Sequence, residues 1–284
     1  MNKSLQNALV IISGLASSII IAILLSWIEL RWGHALYSYT VWFVIPIGAI
    51  CVGMLAASGF MAMARILNFR PKRTTLIVMV LTSISMFFAI QWINYNWMTV
   101  DGQSISGTIS FQDFLSFTIS HTTMQFGVRG HFTDTGIELG ASGYGFAAVQ
   151  ILGFVLGGGS IYLILAAMTY CEKCSKYFSS KGVQHRYHTN PDGLQDACTA
   201  VMSEMQAGRV QHAVLLHASS GSESPKDAAF SSDIELKECR GCGRHWTKFQ
   251  AKKKSGNDWN DIPGLSLAAY CDEPVELHRI LAAR

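Results

Sequence analysis

YGFAAVQILGFVLGGGSIYLILAAMTYCEKCSKYF, residues 144–178, is the stretch that decides the fold of this chain. The part from Tyr144 to Tyr170 has no charged residue and is long enough for a helix that crosses a hydrocarbon layer of about 30 Å. The Cys171-Glu-Lys-Cys174 turn follows directly, and this spacing is typical of metal-binding or redox-active thiols. The stretch therefore predicts a membrane helix that leads straight into a thiol site in water.

The composition of the chain changes at the same point. Charged residues make up 14% of the chain, below the roughly 25% of soluble domains, and the deficit lies in the first 170 residues. Three further apolar runs occur there, at Leu9 to Ile28, Val41 to Ala64 and Leu76 to Ile93, each long enough for a membrane helix. The first run is too long for a secretory signal peptide, and no small-residue cleavage site follows it. We therefore expect a membrane α-helical domain with four transmembrane helices at 1–170, in contact with the lipid bilayer, and a second domain at 171–284.

Basic residues in the short loops predict the orientation of these helices, because such residues are retained on the cytoplasmic side. The second-to-third connection carries four basic residues and no acid: Arg65, Arg70, Lys72 and Arg73. The third-to-fourth connection, about 94–142, carries four acids against one base: Asp101, Asp113, Asp134, Glu138 and Arg129. We expect an inner-membrane protein with an external loop at about 94–142 and both termini in the cytoplasm.

The external loop contains one helical pattern, from Phe111 to Ile119, which predicts a short helix lying in the membrane interface or packed on the bundle. His121 and His131 occur there with two of the acids, but no fixed metal-binding spacing relates them. We interpret them as polar loop residues.

The four apolar runs contain no Asp, Glu, Lys, Arg or His. Proton relays and ion pathways place such groups at membrane depth, so this absence argues against a proton-coupled pump. The fourth run contains Gly153 and Gly157, a spacing that allows close helix contact. That contact is expected within the chain, and a homo-oligomer formed through the same glycines is the alternative.

A second Cys-x-x-Cys pair lies far downstream, at Cys239 and Cys242. An alternating, strand-like segment precedes it, a second one follows it, and Gly241 and Gly243 suit a tight turn. Two such pairs supply the four thiolates that hold Zn²⁺ tetrahedrally at about 2.3 Å. The sequence therefore predicts one structural Zn²⁺, bound by Cys171, Cys174, Cys239 and Cys242.

In these four cysteines and the short strands beside them, the chain resembles the zinc-ribbon family. A compact ribbon leaves about 15–20 residues between its pairs, whereas 64 residues, 175–238, separate them here. Long insertions are tolerated because the entropy of loop closure grows only slowly with length. The resemblance implies a small α+β cytoplasmic zinc-ribbon-like domain with a helical insertion at about 183–232, whose main helix spans 194–206.

A redox-active dithiol is the second interpretation of the cysteines. It requires a Cys-x-x-Cys at a helix N-terminus with a lowered thiol pKa. The sequence places Cys171 at a helix C-terminus instead, where the dipole disfavours the thiolate. Four cysteines complete a tetrahedral site, so the nearby histidines are expected at the surface: His185, His188 and His245. Cys198 is expected in buried packing, and Cys271 in a tail at 259–284.

No nucleophile motif, phosphate-binding loop or acid–base pair is recognisable in the second domain, so we favour a non-enzymatic role. The expected function is partner interaction or regulation through the zinc ribbon, with a cytoplasmic protein as the partner. A membrane thiol–disulfide oxidoreductase and an oligomeric small-molecule transporter or channel are the alternatives. The net charge of +3 is too small to indicate nucleic acid.

Overall fold

The structure, a computed structural model, describes residues 2–33, 35–41, 45–100, 102–128 and 131–271, with the backbone alone for Lys3 and for 123–137. The chain forms two compact units, Met1–Met168 and Thr169–Arg284, which we call the helical unit and the sheet unit.

The helical unit contains five α-helices among its described residues. They are α1 Lys3–Trp32, α2 Ile47–Ile66, α3 Arg73–Trp97, α4 Phe111–Ser120 and α5 Ser142–Ala167. All except α4 are long and apolar enough to cross a membrane, which confirms the four predicted helices. Many of their large side chains, such as Ile19, Leu55 and Leu163, face outward. Outward-facing apolar residues of this kind are what a helix surrounded by lipid carries.

Small residues bring the long helices together. A Cβ atom at Gly157 of α5 would collide with the carbonyl oxygen of Ile50 in α2, and one at Gly53 would lie 2.5 Å from the carbonyl oxygen of Phe154. Gly153 likewise lies against Ala49. The predicted small-residue contact is therefore made within the chain, between α2 and α5. A homo-oligomer through Gly153 and Gly157 stays a prediction.

Helix α1 continues past its predicted end at Ile28, and Glu29 lies in its last turn. The Glu29 carboxylate accepts hydrogen bonds from Tyr37 and Asn94 inside the unit. The first apolar run, Leu9 to Ile28, contains no ionisable residue, but α1 is longer than this run and brings the Glu29 carboxylate into the unit. The apolar run ends where hydropathy falls, but the helix ends only at Gly33, which adopts φ of 68° and caps it.

The predicted external loop is largely folded. Helix α4 confirms the helical pattern there, and its aromatic residues pack on α3, with Phe111 and Trp92 ring centroids 4.9 Å apart. Of the two predicted arrangements, a helix in the membrane interface or a helix packed on the bundle, α4 adopts the second. Four strands complete the segment: β1 Thr99–Val100, β2 Gln103–Ser104, β3 Thr123–Val128 and β4 His131–Glu138, paired as two antiparallel hairpins. The side chains of His131 and Asp134 lie outside the described set, and His121 Nε2 lies 3.9 Å from Glu138 Oε2.

The sheet unit starts with a short hairpin and continues as a four-stranded antiparallel sheet with two helices. Its elements are β5 Tyr170–Cys171, β6 Lys176–Tyr177, β7 Ser179–His188, α6 Pro191–Gln206, α7 Val210–Ser219, β8 Phe230–Glu238, β9 His245–Ser255 and β10 Asp258–Cys271. The strand order is β10-β9-β8-β7. Apolar residues of α6, among them Leu194 and Val201, form one core with Ile234 and Phe249 of the sheet.

Two details of this unit differ from the sequence-based expectation. Strands β7 and β8 extend into the predicted insertion at 183–232, so its helices occupy only 191–219. The predicted tail at 259–284 begins as strand β10, which pairs with β9 along its length. Pro263 and Gly264 conceal that strand in the sequence, because they lie in a register shift between Asp261 and Ser266 that breaks the alternation.

Candidate metal centre

The four predicted cysteines converge on one point. The Sγ atoms of Cys171, Cys174, Cys239 and Cys242 all lie within 4.8 Å of one another, and the Cys171 and Cys242 sulfurs are 3.8 Å apart. A regular tetrahedron with metal–sulfur bonds of about 2.3 Å has sulfur–sulfur edges of about 3.8 Å. The four sulfurs thus have the number and the spacing that a tetrahedral metal ion requires.

The first turn is held by the β5–β6 hairpin. Cys171 pairs with Lys176 across the hairpin, and Ser175 adopts a left-handed φ of 51° that reverses the chain. The Phe178 amide donates to the Thr169 carbonyl at 3.0 Å and closes the base of the turn. Cys171 therefore lies in a strand, with its partner cysteine at the tip of a tight hairpin.

Helix α5 ends at Ala167, several residues before Cys171. Met168 is already extended, with ψ of 132°. The electrostatic influence of a helix end falls off within its last turn. The argument that a helix dipole disfavours the Cys171 thiolate is therefore wrong, and the environment of that thiol is set by its neighbours in the cluster.

The second turn joins β8 to β9 and directs the Gly241 amide at a sulfur. The Cys239 amide donates to the Arg244 carbonyl at 2.8 Å, and the Gly243 amide donates to the Cys239 carbonyl at 2.9 Å. The Gly241 amide lies 3.4 Å from Cys239 Sγ and donates to it. Gly243 has φ of 72°, a conformation that costs other residues free energy. Amide donors of this kind stabilise a thiolate that ligates a metal.

The two turns approach each other most closely at Gly241. A Cβ atom there would lie 2.9 Å from Cys174 Cβ and 3.0 Å from Cys174 Sγ. Both distances are shorter than ordinary van der Waals contact. The absence of a side chain at Gly241 therefore allows the two Cys-x-x-Cys turns to share one centre.

Metal binding at this cluster requires the thiols to lose their protons. Hydrogen bonding to Cys242, followed by burial, raises the pKa of Cys174 to about 12, and burial raises the pKa of Cys171. The pKa of Cys242 is lowered to about 7, first by a backbone hydrogen bond at Arg244 and then by Cys174. Four thiols this close cannot all ionise unless a positive charge compensates them, and a bound divalent metal supplies that charge.

Two of the three histidines expected at the surface are buried. His188 and His245 are only 6% and 4% exposed, whereas the His185 side chain is half exposed and bonds Asp233. Within the described ranges, no histidine joins the cysteine cluster. His188 lies on the inner face of β7, where its Nε2 is 3.1 Å from Ser232 Oγ. The residues two and four positions before it on the same face, Arg186 and Gln184, are polar as well, so the alternation of β7 gives no signal for this burial in the sequence.

The other cysteines of the sheet unit, Cys198 and Cys271, are not among the four whose sulfurs converge. Cys198 packs in the core, as expected, and burial raises its pKa to about 11. Cys271 is also buried, at the end of β10 beside His245.

A second polar cluster, which the sequence patterns did not indicate, lies in the helical unit. It consists of Glu29, Tyr37, Gln91 and Asn94. The sequence contains one signal for this cluster: Gln91 and Asn94 are three residues apart, which places their two amide side chains on one face of α3.

Comparison of the chain with protein-family models, curated proteins and solved structures gives no match. The assignment of the metal centre therefore depends on the geometry of the four cysteines.

Proposed function

We propose that this chain is an inner-membrane protein that binds one structural Zn²⁺ in its cytoplasmic sheet unit and uses that unit to contact a cytoplasmic protein. The observation that carries the proposal is the convergence of two cysteine pairs that are 64 residues apart in the sequence. Such a distant pairing requires the intervening β7, α6, α7 and β8 to be folded. A metal at the junction therefore stabilises the whole unit, as structural zinc does elsewhere.

The donor set favours zinc in a structural role. Four thiolates are soft ligands, which select zinc or iron over magnesium, calcium or manganese. A site closed by four protein ligands leaves no position for the water or substrate that catalytic zinc requires. The proposed contribution of the metal is therefore folding free energy.

A groove on the sheet unit supports a role in protein contact. It has a volume of about 670 Å³ and lies between α6 and β10. Apolar residues line most of it: Leu194, Cys198, Met202, Phe230, Ile262 and Leu265. Gln195, Ser203 and Gln206 supply a polar rim. An apolar floor with a polar rim is the surface that an apolar segment of a partner protein buries.

Photo-crosslinking in cells tests the proposed contact. A photoreactive residue replaces Met202 in the groove or, as the control, exposed Gln211 on α7. We expect an adduct with one protein from position 202 and none from 211. The adduct should be lost when Cys174→Ser and Cys242→Ser are combined, because the unit then lacks its metal. Equal adducts from both positions, or an adduct that survives loss of the cysteines, would refute the proposal.

Alkylation trapping separates this function from thiol–disulfide exchange. Metal-bound thiolates should be reduced in cells and should react slowly with an alkylating reagent until a chelator is added. A disulfide between cysteines of the cluster, or a mixed disulfide with another protein, would support the oxidoreductase instead.

A further inference from the structure

In the polar cluster of the helical unit, Tyr37, Gln91 and Asn94 are buried, Glu29 is half-buried, and not every polar atom has a partner. Asn94 Nδ2 donates to Glu29 Oε2 at 2.8 Å, the Tyr37 hydroxyl lies 3.3 Å from both Glu29 oxygens, and Gln91 Nε2 lies 3.0 Å from that hydroxyl. Gln91 is 3% exposed and Asn94 is 5% exposed.

The direction of each hydrogen bond follows from the carboxylate, which only accepts. Asn94 must therefore present its amide nitrogen to Glu29, and the Tyr37 hydroxyl must donate its proton there. Tyr37 then accepts from the Gln91 nitrogen. This chain leaves Gln91 Oε1 and Asn94 Oδ1 as buried acceptors without a partner among the described residues. Such orphaned acceptors are costly and call for a donor.

The cluster lines a cavity of about 1080 Å³. Four phenylalanines supply much of its apolar surface: Phe87, Phe114, Phe117 and Phe146. Among the described lining residues none is Lys or Arg, and Glu29 is the one carboxylate. His121, the other titratable side chain besides Tyr37, stacks on Phe117 with ring centroids 4.0 Å apart. The cavity is large enough for a drug-sized ligand.

We infer that this cavity binds a lipophilic organic cation with a protonated amine head. The ammonium group donates to the Glu29 carboxylate, and the unpartnered oxygens of Gln91 and Asn94 favour positive charge beside it. Its charge compensates a carboxylate that the cavity otherwise leaves without a cation. The apolar body lies against the phenylalanines, whose ring faces also attract a cation. An anion of the same shape is excluded, because it would bring a second negative charge next to Glu29.

This inference concerns a different unit from the zinc-dependent contact, so the two can be tested separately. The full chain is reconstituted in lipid nanodiscs and titrated with dansylcadaverine, which joins a fluorophore to a primary ammonium group. The matched probes are its N-acetylated form, which is neutral, and a dansylated amino acid of similar length, which is anionic. We expect a saturable fluorescence increase with the ammonium probe alone, after subtraction of empty nanodiscs.

The matched variants are Glu29→Gln, which removes the charge at nearly constant shape, and Asp196→Asn, which removes a charge from the exposed side of α6. Glu29→Gln should weaken binding about tenfold or more, since hydrogen bonds to charged groups are the strong ones. Asp196→Asn should bind like the parent chain. Equal binding of the ammonium probe by Glu29→Gln and by the parent chain overturns the inference. So does equal saturable binding of all three probes by the parent chain, or saturable binding of none of them. The probe series on the parent chain stays decisive even if Glu29→Gln does not fold.

Discussion

Gly241 is the residue at which the two cysteine turns meet. Its neighbour across the junction is Cys174, whose Cβ and Sγ would lie 2.9 and 3.0 Å from a new Cβ, closer than non-bonded atoms ordinarily approach. Cys174 is fixed by the β5–β6 hairpin, so it cannot move away from an added methyl group without displacing its sulfur. The geometry of the centre thus depends on the absence of one methyl group.

We expect Gly241→Ala to weaken zinc binding by about 10- to 100-fold, since overpacking of this kind costs about 1–3 kcal/mol. Competition with a chromophoric chelator measures the affinity. The control is Gly256→Ala, at a turn with φ of 63° and no neighbour within 4 Å of the new Cβ. It should lower stability slightly and leave zinc affinity unchanged. Wild-type affinity in Gly241→Ala would contradict the account of the junction.

His217 predicts a pH dependence of the sheet unit. It is completely buried, with Nδ1 2.9 Å from Gln184 Oε1 and Nε2 3.0 Å from Ser232 Oγ. Burial lowers the pKa of His217 from 6.5 to about 4. Below about pH 6.5, His217 is therefore protonated in the unfolded chain but stays neutral in the folded chain. The contribution of neutral His217 to the free energy of unfolding is fully present above that pH. It decreases by up to about 3 kcal/mol as the pH falls toward 4.

Thermal unfolding between about pH 7 and about pH 5 checks this expectation. The unfolding midpoint should fall less in His217→Gln than in the parent chain, whereas His212→Gln, at an exposed histidine, should follow the parent. Acid release of the metal affects all three proteins alike, so the difference between them isolates His217. Identical pH dependence of His217→Gln and the parent would refute the role of this histidine.

The cysteine ligands could be predicted from sequence, but the buried polar residues could not. The spacing of a Cys-x-x-Cys pair is by itself typical of metal binding, and two such pairs predict one four-cysteine metal site even when they are far apart in the sequence. Burial of His188 and His217 depends on which face of β7 and α7 meets the core. Glu29 was missed because the helix continues beyond the drop in hydropathy.

At the scale of elements, the contact between α2 and α5 holds the helical unit together. Glycines on both helices let backbone approach backbone, with Gly53 against Phe154 and Gly157 against Ile50. In lipid, such close packing is a main source of helix association, because apolar side chains gain little by leaving the bilayer. Gly159, two positions along the same helix, has no neighbour within 4 Å of a new Cβ.

Gly157 and Gly159 of α5 form a matched pair for mutation. Gly157→Leu should force α2 and α5 apart, lower the thermal stability of the detergent-solubilised protein and give a polydisperse size-exclusion profile. Gly159→Leu adds the same volume on an open face and should behave like the parent chain. If both variants have the same stability, the α2–α5 contact does not hold the unit together.

The long helices could be predicted because each is a single uninterrupted pattern. The sheet could be predicted only in part. Strands β8 and β9 alternate clearly around the second turn, but the bulge at Pro263 and Gly264 hides β10. The convergence of the two turns depends on pairing between β7 and β8, across two intervening helices. Such long-range pairing leaves no local signal in the sequence.

At the scale of the whole molecule, the two units impose different requirements on their surroundings. The helical unit has four helices with the length and composition to cross a bilayer. The proposed thiolate site requires a reducing compartment, because an oxidising one would favour disulfides. The basic loop at 65–73 and the sheet unit should therefore both lie in the cytoplasm.

Reporter fusions test this topology. Alkaline phosphatase, which is active only after export, should be active when fused after Gly107 and inactive when fused after Asn68 or at the C-terminus. A fluorescent protein that folds only in the cytoplasm should give the opposite pattern. Phosphatase activity at the C-terminus would contradict the proposed location of the metal centre.

Elemental analysis of the full-length protein, purified without added metal, tests the central claim most directly. We expect one zinc ion per chain in the parent protein and in Cys51→Ser, and at most traces when Cys174→Ser and Cys242→Ser are combined. No stoichiometric metal in the parent protein, iron in place of zinc, or zinc that persists in the double variant would contradict the claim.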